Sequence, residues 1–214
     1  MTYKATGFII GKRVSREHDR VFIVYTQDHG KLEVLAQGVL KLSSKLGGNL
    51  ELLTKASFLF AQGKMYDRIA SVDTLHTFRS TKQNLVKLVV ALASAEMLHQ
   101  LLQWEAKDIS TFQLYEEFLE ELEGLPDHTQ TKYVINLLNL FTLKLSILLG
   151  YRAPSRSAKQ FLDRLSTSSL PSFRDEQMPS FVKTLAHNFL TENLTKQLKG
   201  KAYLDLITKT PVNT

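Results

Sequence analysis

The 214-residue chain has no cysteine. That absence excludes a disulfide framework, a thiol nucleophile and a thiolate zinc site, and it fits a reducing compartment. No stretch offers the 18 uninterrupted apolar residues that a membrane-spanning helix asks for. The longest candidate, Tyr133 to Leu149, is broken by Asn136, Asn139, Thr142, Lys144 and Ser146 and reads as a buried bundle helix. The opening residues, Met1 to Ile10, hold too short an apolar run and too little basic charge for a secretory signal, so a cytoplasmic protein without a membrane partner is expected. Catalytic motifs are missing too. There is no G-x-S-x-G elbow, and neither Gly47-Gly48 nor Gly63 leads into Lys-Ser/Thr at P-loop spacing. The six histidines, His18, His29, His76, His99, His128 and His187, fall on different elements without an i, i+4 pair on one helix, so neither metal nor cofactor is expected. His99 lies on an apolar helix face and reads as a core or groove histidine. We expect a binding protein and not an enzyme.

What is present is a hydrophobic fraction of 43%, enough for real cores, and an uneven charge. The net charge is +6, but residues 1–79 carry 12 Lys/Arg against 7 Asp/Glu, residues 80–150 carry 5 against 9, and residues 151–214 carry 10 against 5. A basic beginning and end therefore flank an acidic middle. Such segregation leaves two candidate surfaces for a polyanion and one that repels it; solvated charge serving solubility is the competing explanation.

Five β-type runs fill the first third: Ala5 to Val14, Arg20 to Thr26, Lys31 to Gln37, Leu50 to Ala61 and Arg68 to Thr77. Asp28-His29-Gly30 is a tight-turn signal between the second and third, and Gly63 marks the hairpin between the last two. Five strands in so short a span suggest a small barrel of the OB kind, with an SH3-like barrel as its rival. Between the third and fourth strands lies a basic excursion, Lys41-Leu42-Ser43-Ser44-Lys45, bounded by Gly38 and Gly47-Gly48.

The texture changes at Ser80. Ser80-Thr81-Lys82-Gln83 reads as a capping box opening a helix that keeps its apolar spacing to about Trp104. A second helix, Asp108 to Glu123, turns Phe112, Leu114, Tyr115, Phe118, Leu119 and Leu122 inward. Its Glu116, Glu117, Glu120, Glu121 and Glu123 read as an outer, solvated stripe and not as paired catalytic carboxylates. A third helix, from about Thr129 to Leu149, is apolar almost all round and is stopped by Gly150. Residues 152–179 are Ser- and Pro-rich and read as loop, apart from a short amphipathic piece at Ala158 to Leu165. Helices follow at Ser180 to Asn193 and Ala202 to Lys209. The fold class is thus α+β, with an OB-type barrel over residues 1–79 and a helical domain over residues 80–214.

Lys12, Arg13, Arg16, Lys31, Lys41 and Lys45 gather on the barrel segment with Arg20, where Lys and Arg supply salt-dependent phosphate contacts and aromatic rings stack unpaired bases. Of the available rings, Tyr66 in the last hairpin is the best platform, because alternation commits most of the others to the core. Each lysine alone reads as an ordinary solvated side chain; the cluster carries the functional reading.

Several ordered motifs resemble the RecO family of bacterial recombination mediators. They are Gly7-Phe8-Ile9-Ile10, Glu17-His18-Asp19, Thr26 with His29-Gly30-Lys31, Gly38 with Lys41, and Ser44-Lys45 with Gly47-Gly48. Phe141, Leu143 and Leu145 through Leu149-Gly150-Tyr151 are similar to a helix of that family. So are Phe189-Leu190 through Leu198-Lys199-Gly200-Lys201 and Leu204 to its closing helix pair. The resemblance implies an N-terminal OB domain, a helical C-terminal domain, and a protein without turnover that binds single- and double-stranded DNA and anneals strands. It also implies partnership with RecR in loading RecA onto DNA coated by single-stranded DNA-binding protein, and a nucleoid-associated location. The DNA role maps first onto Lys41 and Lys45, then onto Lys12, Arg13, Arg16 and Lys31. Many relatives carry a four-cysteine zinc site after Gly-Tyr; here Phe161, Leu162 and Leu165 are expected to plug the bundle instead. The tail of the single-stranded DNA-binding protein needs a basic-rimmed apolar pocket. Where some relatives place Arg this chain has Asn139 and Leu140, which leaves Lys132, Lys144 or Arg152 for that role. An RNA-binding OB protein and an adaptor for acidic proteins are the competing readings.

Overall fold

The structure is a computed structural model and describes residues 1–15, 17–41, 47–152, 154–174, 176–196 and 198. Five strands, β1 (Thr2–Val14), β2 (Arg20–Thr26), β3 (Gly30–Ala36), β4 (Lys55–Ala61) and β5 (Asp67–His76), close a barrel in the order β1-β2-β3-β5-β4. All neighbours are antiparallel except β3 and β5, which meet in parallel through Val34 with Asp67 and Leu35 with Arg68. This is the OB arrangement, a meander of three strands closed by a hairpin that returns to both edges.

Alternation decides what fills it. Ala5, Ile9, Phe22, Val24, Leu32, Val34, Phe58, Phe60, Ile69 and Val72 point inward and form one buried cluster. The β2 run Val21 to Thr26 is buried on both faces, which explains its unbroken apolar sequence. Its outer Tyr25, together with Phe8 of β1, packs on Phe112, with ring centroids 5.8 and 5.2 Å away. The expected fourth strand starts five residues late. Leu53 adopts φ 61°, which breaks extended structure, and its N–H donates to the Ile9 carbonyl while Ile9 donates to Thr54. Leu50 and Leu53 are buried all the same, as a plug beside the β1 bulge.

The helices are α1 (Arg79–Gln83), α2 (Leu85–Leu101), α3 (Ile109–Gly124), α4 (Thr131–Leu148), α5 (Arg156–Thr167) and α6 (Ser180–Asn193). The single helix expected from Ser80 is interrupted at Asn84, whose Oδ1 accepts from the N–H groups of Val86 and Lys87 and starts α2 afresh. Nor does a local capping box start α1: the Ser80 and Thr81 N–H groups donate to the Glu123 carboxylate, at 3.0 and 2.8 Å. Gly150 stops α4 as expected. Its φ of 84° lets its N–H reach Ile147 O and that of Tyr151 reach Ser146 O, the paired bonds of a Schellman motif.

The chain gathers into two compact units, one of residues 1–78 with 98–112 and the other of residues 79–97 with 113–214. Chain continuity alone does not reveal the first, because the 98–112 segment belongs to the barrel. In the second unit, residues 152–179 hold more structure than the loop reading allowed. α5 is capped by the Ser155 hydroxyl, and the 3-10 turn Leu170–Phe173 follows it. Phe161, Leu162 and Leu165 are buried there, with Phe161 edge-on to Phe181 at 5.6 Å.

The solvated glutamate stripe is also corrected. Glu121 is buried and takes a two-pronged bond from Arg174 at 2.7 and 2.8 Å plus one from the Tyr133 hydroxyl. Glu117 accepts from the Leu170 N–H. The C-terminal helix expected at Ala202 to Lys209 lies outside the described residues. No helix among the described residues is long and apolar enough to cross a membrane.

Candidate nucleic-acid interface

Lys12 and Arg13 stand at the far end of β1, exposed, where the strand pairs with Phe22 and Val21 of β2. Lys41, also exposed, follows a turn held by three bonds: Gly38 N–H to the Asp19 carboxylate at 2.7 Å, Leu40 N–H to His18 O, and Lys41 N–H to Gly38 O. The Glu17-His18-Asp19 segment thus anchors the start of the basic excursion. Arg16 and Lys45 lie outside the described residues. Neither Lys12 nor Lys41 has an ion-pair partner among the described residues, whereas Arg13 bonds Glu33 at 3.2 Å and the Tyr66 hydroxyl at 2.9 Å.

Lys31 is a correction. It is 2% exposed, and its ammonium is used internally, donating to the carbonyls of His99 (2.6 Å) and Leu102 and lying 4.3 Å from the Trp104 ring centroid. Desolvation holds its pKa below the usual lysine value. A phosphate cannot reach it. The motif around it is structural: Thr26 Oγ1 donates to Gly30 O and accepts from the His29 N–H, while Glu105 N–H donates to Lys31 O. Gly30 has φ 67°, and a Cβ there would stand 2.2 Å from Ala106 O, so only glycine admits the 102–108 strand-like segment.

The start of β1 and the β2–β3 turn frame a depression of about 470 Å³ whose lining includes Met1, Tyr3, Asp28, His29, Asp67 and Glu105, with Asp28 paired to Lys107 at 3.1 Å. Burial first, and then the Asp67 carboxylate bonded to its hydroxyl, push the Tyr3 phenol well up. Lys12, Arg13 and Lys41 gather instead where β1 ends and β2 begins.

Residues 1–78 match the family model for the N-terminal domain of recombination protein O. The chain is 34% identical over 136 residues to a DNA repair protein RecO of Trichodesmium erythraeum, across 64% of this chain and 47% of that protein. It is 32% identical over 138 residues to one of Dehalococcoides mccartyi, across 64% and 54%. In its N-terminal domain, and over the stretch these matches share, the chain is similar to RecO proteins. A further RecO, from Rubrobacter xylanophilus, is 29% identical over 155 residues, and the chain spans about half the length of these curated relatives.

Sequence reasoning missed two members of this barrel surface. Arg68 is exposed and shares a row with Arg13, since Arg13 pairs with Val21, Val21 with Leu35, and Leu35 with Arg68. Glu33 is the carboxylate beside Arg13. Only the strand register could have found either. In the helical unit, Lys144 is engaged by Glu117 at 3.5 Å and by Ser168 O at 2.7 Å, which removes it from the tail-binding role. Lys132 and Arg152 are exposed. Among the described residues no group of three or more His, Asp or Glu side chains is placed to hold a metal ion.

Proposed function

We propose that this chain is a DNA repair and recombination mediator that binds single- and double-stranded DNA through the basic end of its barrel. It anneals strands without catalytic turnover and works with RecR to load RecA onto DNA covered by single-stranded DNA-binding protein, in the cytoplasm at the nucleoid. The observation that supports this most is the exposure of Lys12, Arg13 and Lys41 together at one end of a RecO-type barrel. Lys45 and Arg16 extend that end by their sequence positions. Such a surface gives sequence-independent affinity that weakens steeply with salt.

The acidic, Phe-ending tail of the single-stranded DNA-binding protein is placed at Arg152. This residue and Lys159 rim a hollow of about 380 Å³ with Ile147, Tyr151 and Leu162 as apolar walls, where Asp163 and Ser166 complete the edge, so the two cations outnumber one carboxylate there. Lys132, on the first turn of α4, stands at the opposite end of that helix from the hollow and is a separate, alternative position for the tail.

A strand-annealing assay with and without single-stranded DNA-binding protein tests the reading. Annealing in both conditions is expected, with loss on Lys41→Glu combined with Lys45→Glu. The salt slope of single-stranded DNA binding should then fall by up to roughly 1.4, the value for two phosphate contacts. Absence of annealing in both conditions removes the mediator reading, and preference for structured RNA over DNA at equal salt replaces it with an RNA-binding one.

A further inference from the structure

Among the described residues, Arg13 differs from Lys12 and Lys41 because it already has a carboxylate. Its Nε and one terminal nitrogen donate to the two oxygens of Glu33 at 3.2 and 3.3 Å, a fork on a carboxylate. That same nitrogen donates to the Tyr66 hydroxyl at 2.9 Å, and the guanidinium carbon stands 5.6 Å from the Tyr66 ring centroid. One side chain thus holds an anion and leans over an aromatic ring, the two groups that a nucleotide would supply and use. The pair is open to water, with side-chain exposures of 46% for Arg13 and 30% for Glu33. Ion pairs so exposed are weak and exchangeable. A phosphate oxygen presents the same planar-fork geometry to guanidinium as a carboxylate does.

We infer that Glu33 is a built-in competitor for Arg13, so that single-stranded DNA engages this part of the barrel by exchanging a phosphate for the Glu33 carboxylate and freeing the Tyr66 ring for a base. The exchange needs no backbone change: Arg13, Glu33 and Tyr66 sit on β1, β3 and the β4–β5 hairpin of one closed barrel. Arg68, in the same cross-strand row as Arg13, takes the next phosphate. Glu33 thereby sets a threshold. A single phosphate replaces one anion with another and gains little, while a strand that also reaches Arg68, Lys12 and Lys41 gains several contacts for the one given up. The device favours extended strands over short ones and leaves Arg13 neutralised when no strand is present.

This inference rests on the DNA reading of the barrel. It is tested with a fluorescein-labelled oligothymidylate, by anisotropy across a salt series, on the full chain and on Glu33→Gln, Arg13→Gln, their combination, and Tyr66→Phe; thermal melting checks that each folds. Glu33→Gln should bind about two- to fivefold tighter at low salt, the range of one exposed ion pair, with a salt slope steeper by roughly 0.7 for the phosphate gained. Tyr66→Phe should give a smaller gain in the same direction. In the Arg13→Gln background the Glu33→Gln gain should vanish. A gain that persists without Arg13 overturns the gate, since it would reflect removal of a negative charge alone. Unchanged affinity on Glu33→Gln, with the wild type binding, also overturns it. Failure of every form to bind removes the DNA reading itself and the gate with it.

Discussion

Lys31 in the barrel unit and Lys87 in the helical unit are both buried, at 2% and 1% exposure, and both ammonium groups end on backbone carbonyls just where a helix stops. Lys31 binds His99 O and Leu102 O at the end of α2, and Lys87 binds Leu125 O, one residue beyond α3, at 2.5 Å. A helix C-terminus leaves carbonyls without partners and carries partial negative charge, so a cation placed there answers both needs. The surroundings differ. Lys87 also meets Ser80 Oγ at 3.1 Å and the Asp127 carboxylate at 3.3 Å, which offsets part of the cost of burying a charge. Lys31 has the Trp104 ring face in place of a carboxylate, and burial alone lowers its pKa. Among the described residues, the barrel unit therefore holds its 98–112 segment with a cation that has carbonyls and a ring but no carboxylate, and the helical unit uses one that has a carboxylate as well.

The largest expected effect is on Lys31→Met, which strands two buried carbonyls and loses about 3 kcal/mol of stability. Urea unfolding followed by the emission of Trp104, the one tryptophan of the chain, reads it at the barrel itself. Lys87→Met should cost less, about 2 kcal/mol, because the Asp127 carboxylate it leaves behind is 81% exposed and rehydrates. A larger loss for Lys87→Met than for Lys31→Met would break the comparison.

Alkaline pH sharpens it. The folded chain holds Lys31 with a lowered pKa, so between that value and the ordinary lysine value the unfolded state binds more protons and stability contributed by this group rises with pH. Tyr3, Tyr25 and Tyr115 are pushed well up, chiefly by burial, and Tyr133 is pushed up to about 12 by burial and then by Glu121. Those phenols keep protons that the unfolded chain gives up, and stability from them is lost above about pH 10. Chemical denaturation at stepped pH should therefore show a net fall, with wild type gaining on Lys31→Met as the lysine window is crossed; parallel curves would contradict the Lys31 environment. The smallest effect, about 0.5 kcal/mol, is expected for Asp127→Asn, an exposed partner, by the same unfolding measurement.

Much of this was legible in residues alone. The β2 bounds, the turn at Gly30 and the span of α6 follow from strand-forming runs, turn residues and periodicity, which are local properties. The amphipathic piece at Ala158 to Leu165 was legible for the same reason, whereas the expectation that Phe161, Leu162 and Leu165 fill the bundle came from the family resemblance; all three are buried on α5. Lys31 was misread because a lysine beside a turn signal has the same sequence appearance whether its ammonium meets water or the end of a distant helix. Glu117, Glu121 and Glu123 were misread likewise: their partners, Leu170, Arg174, Ser80 and Thr81, are tens of residues away in the chain. The surface neighbours Arg13, Glu33, and Tyr66 with Arg68 come from three separate stretches, joined only by barrel closure.

Residue order by itself determined the five strands, most helix positions and the α+β division, because backbone preference and apolar alternation act over a few residues. It also carried the family motifs. Which charges are free and which are consumed was decided by the tertiary structure alone. Burial and pairing depend on what closure brings within about 3 Å of a charged atom, and that distance has no counterpart in spacing along a chain. Lys31 and Lys41 are both lysines of the basic N-terminal third. Folding sent one ammonium to the carbonyls of His99 and Leu102 and left the other in water.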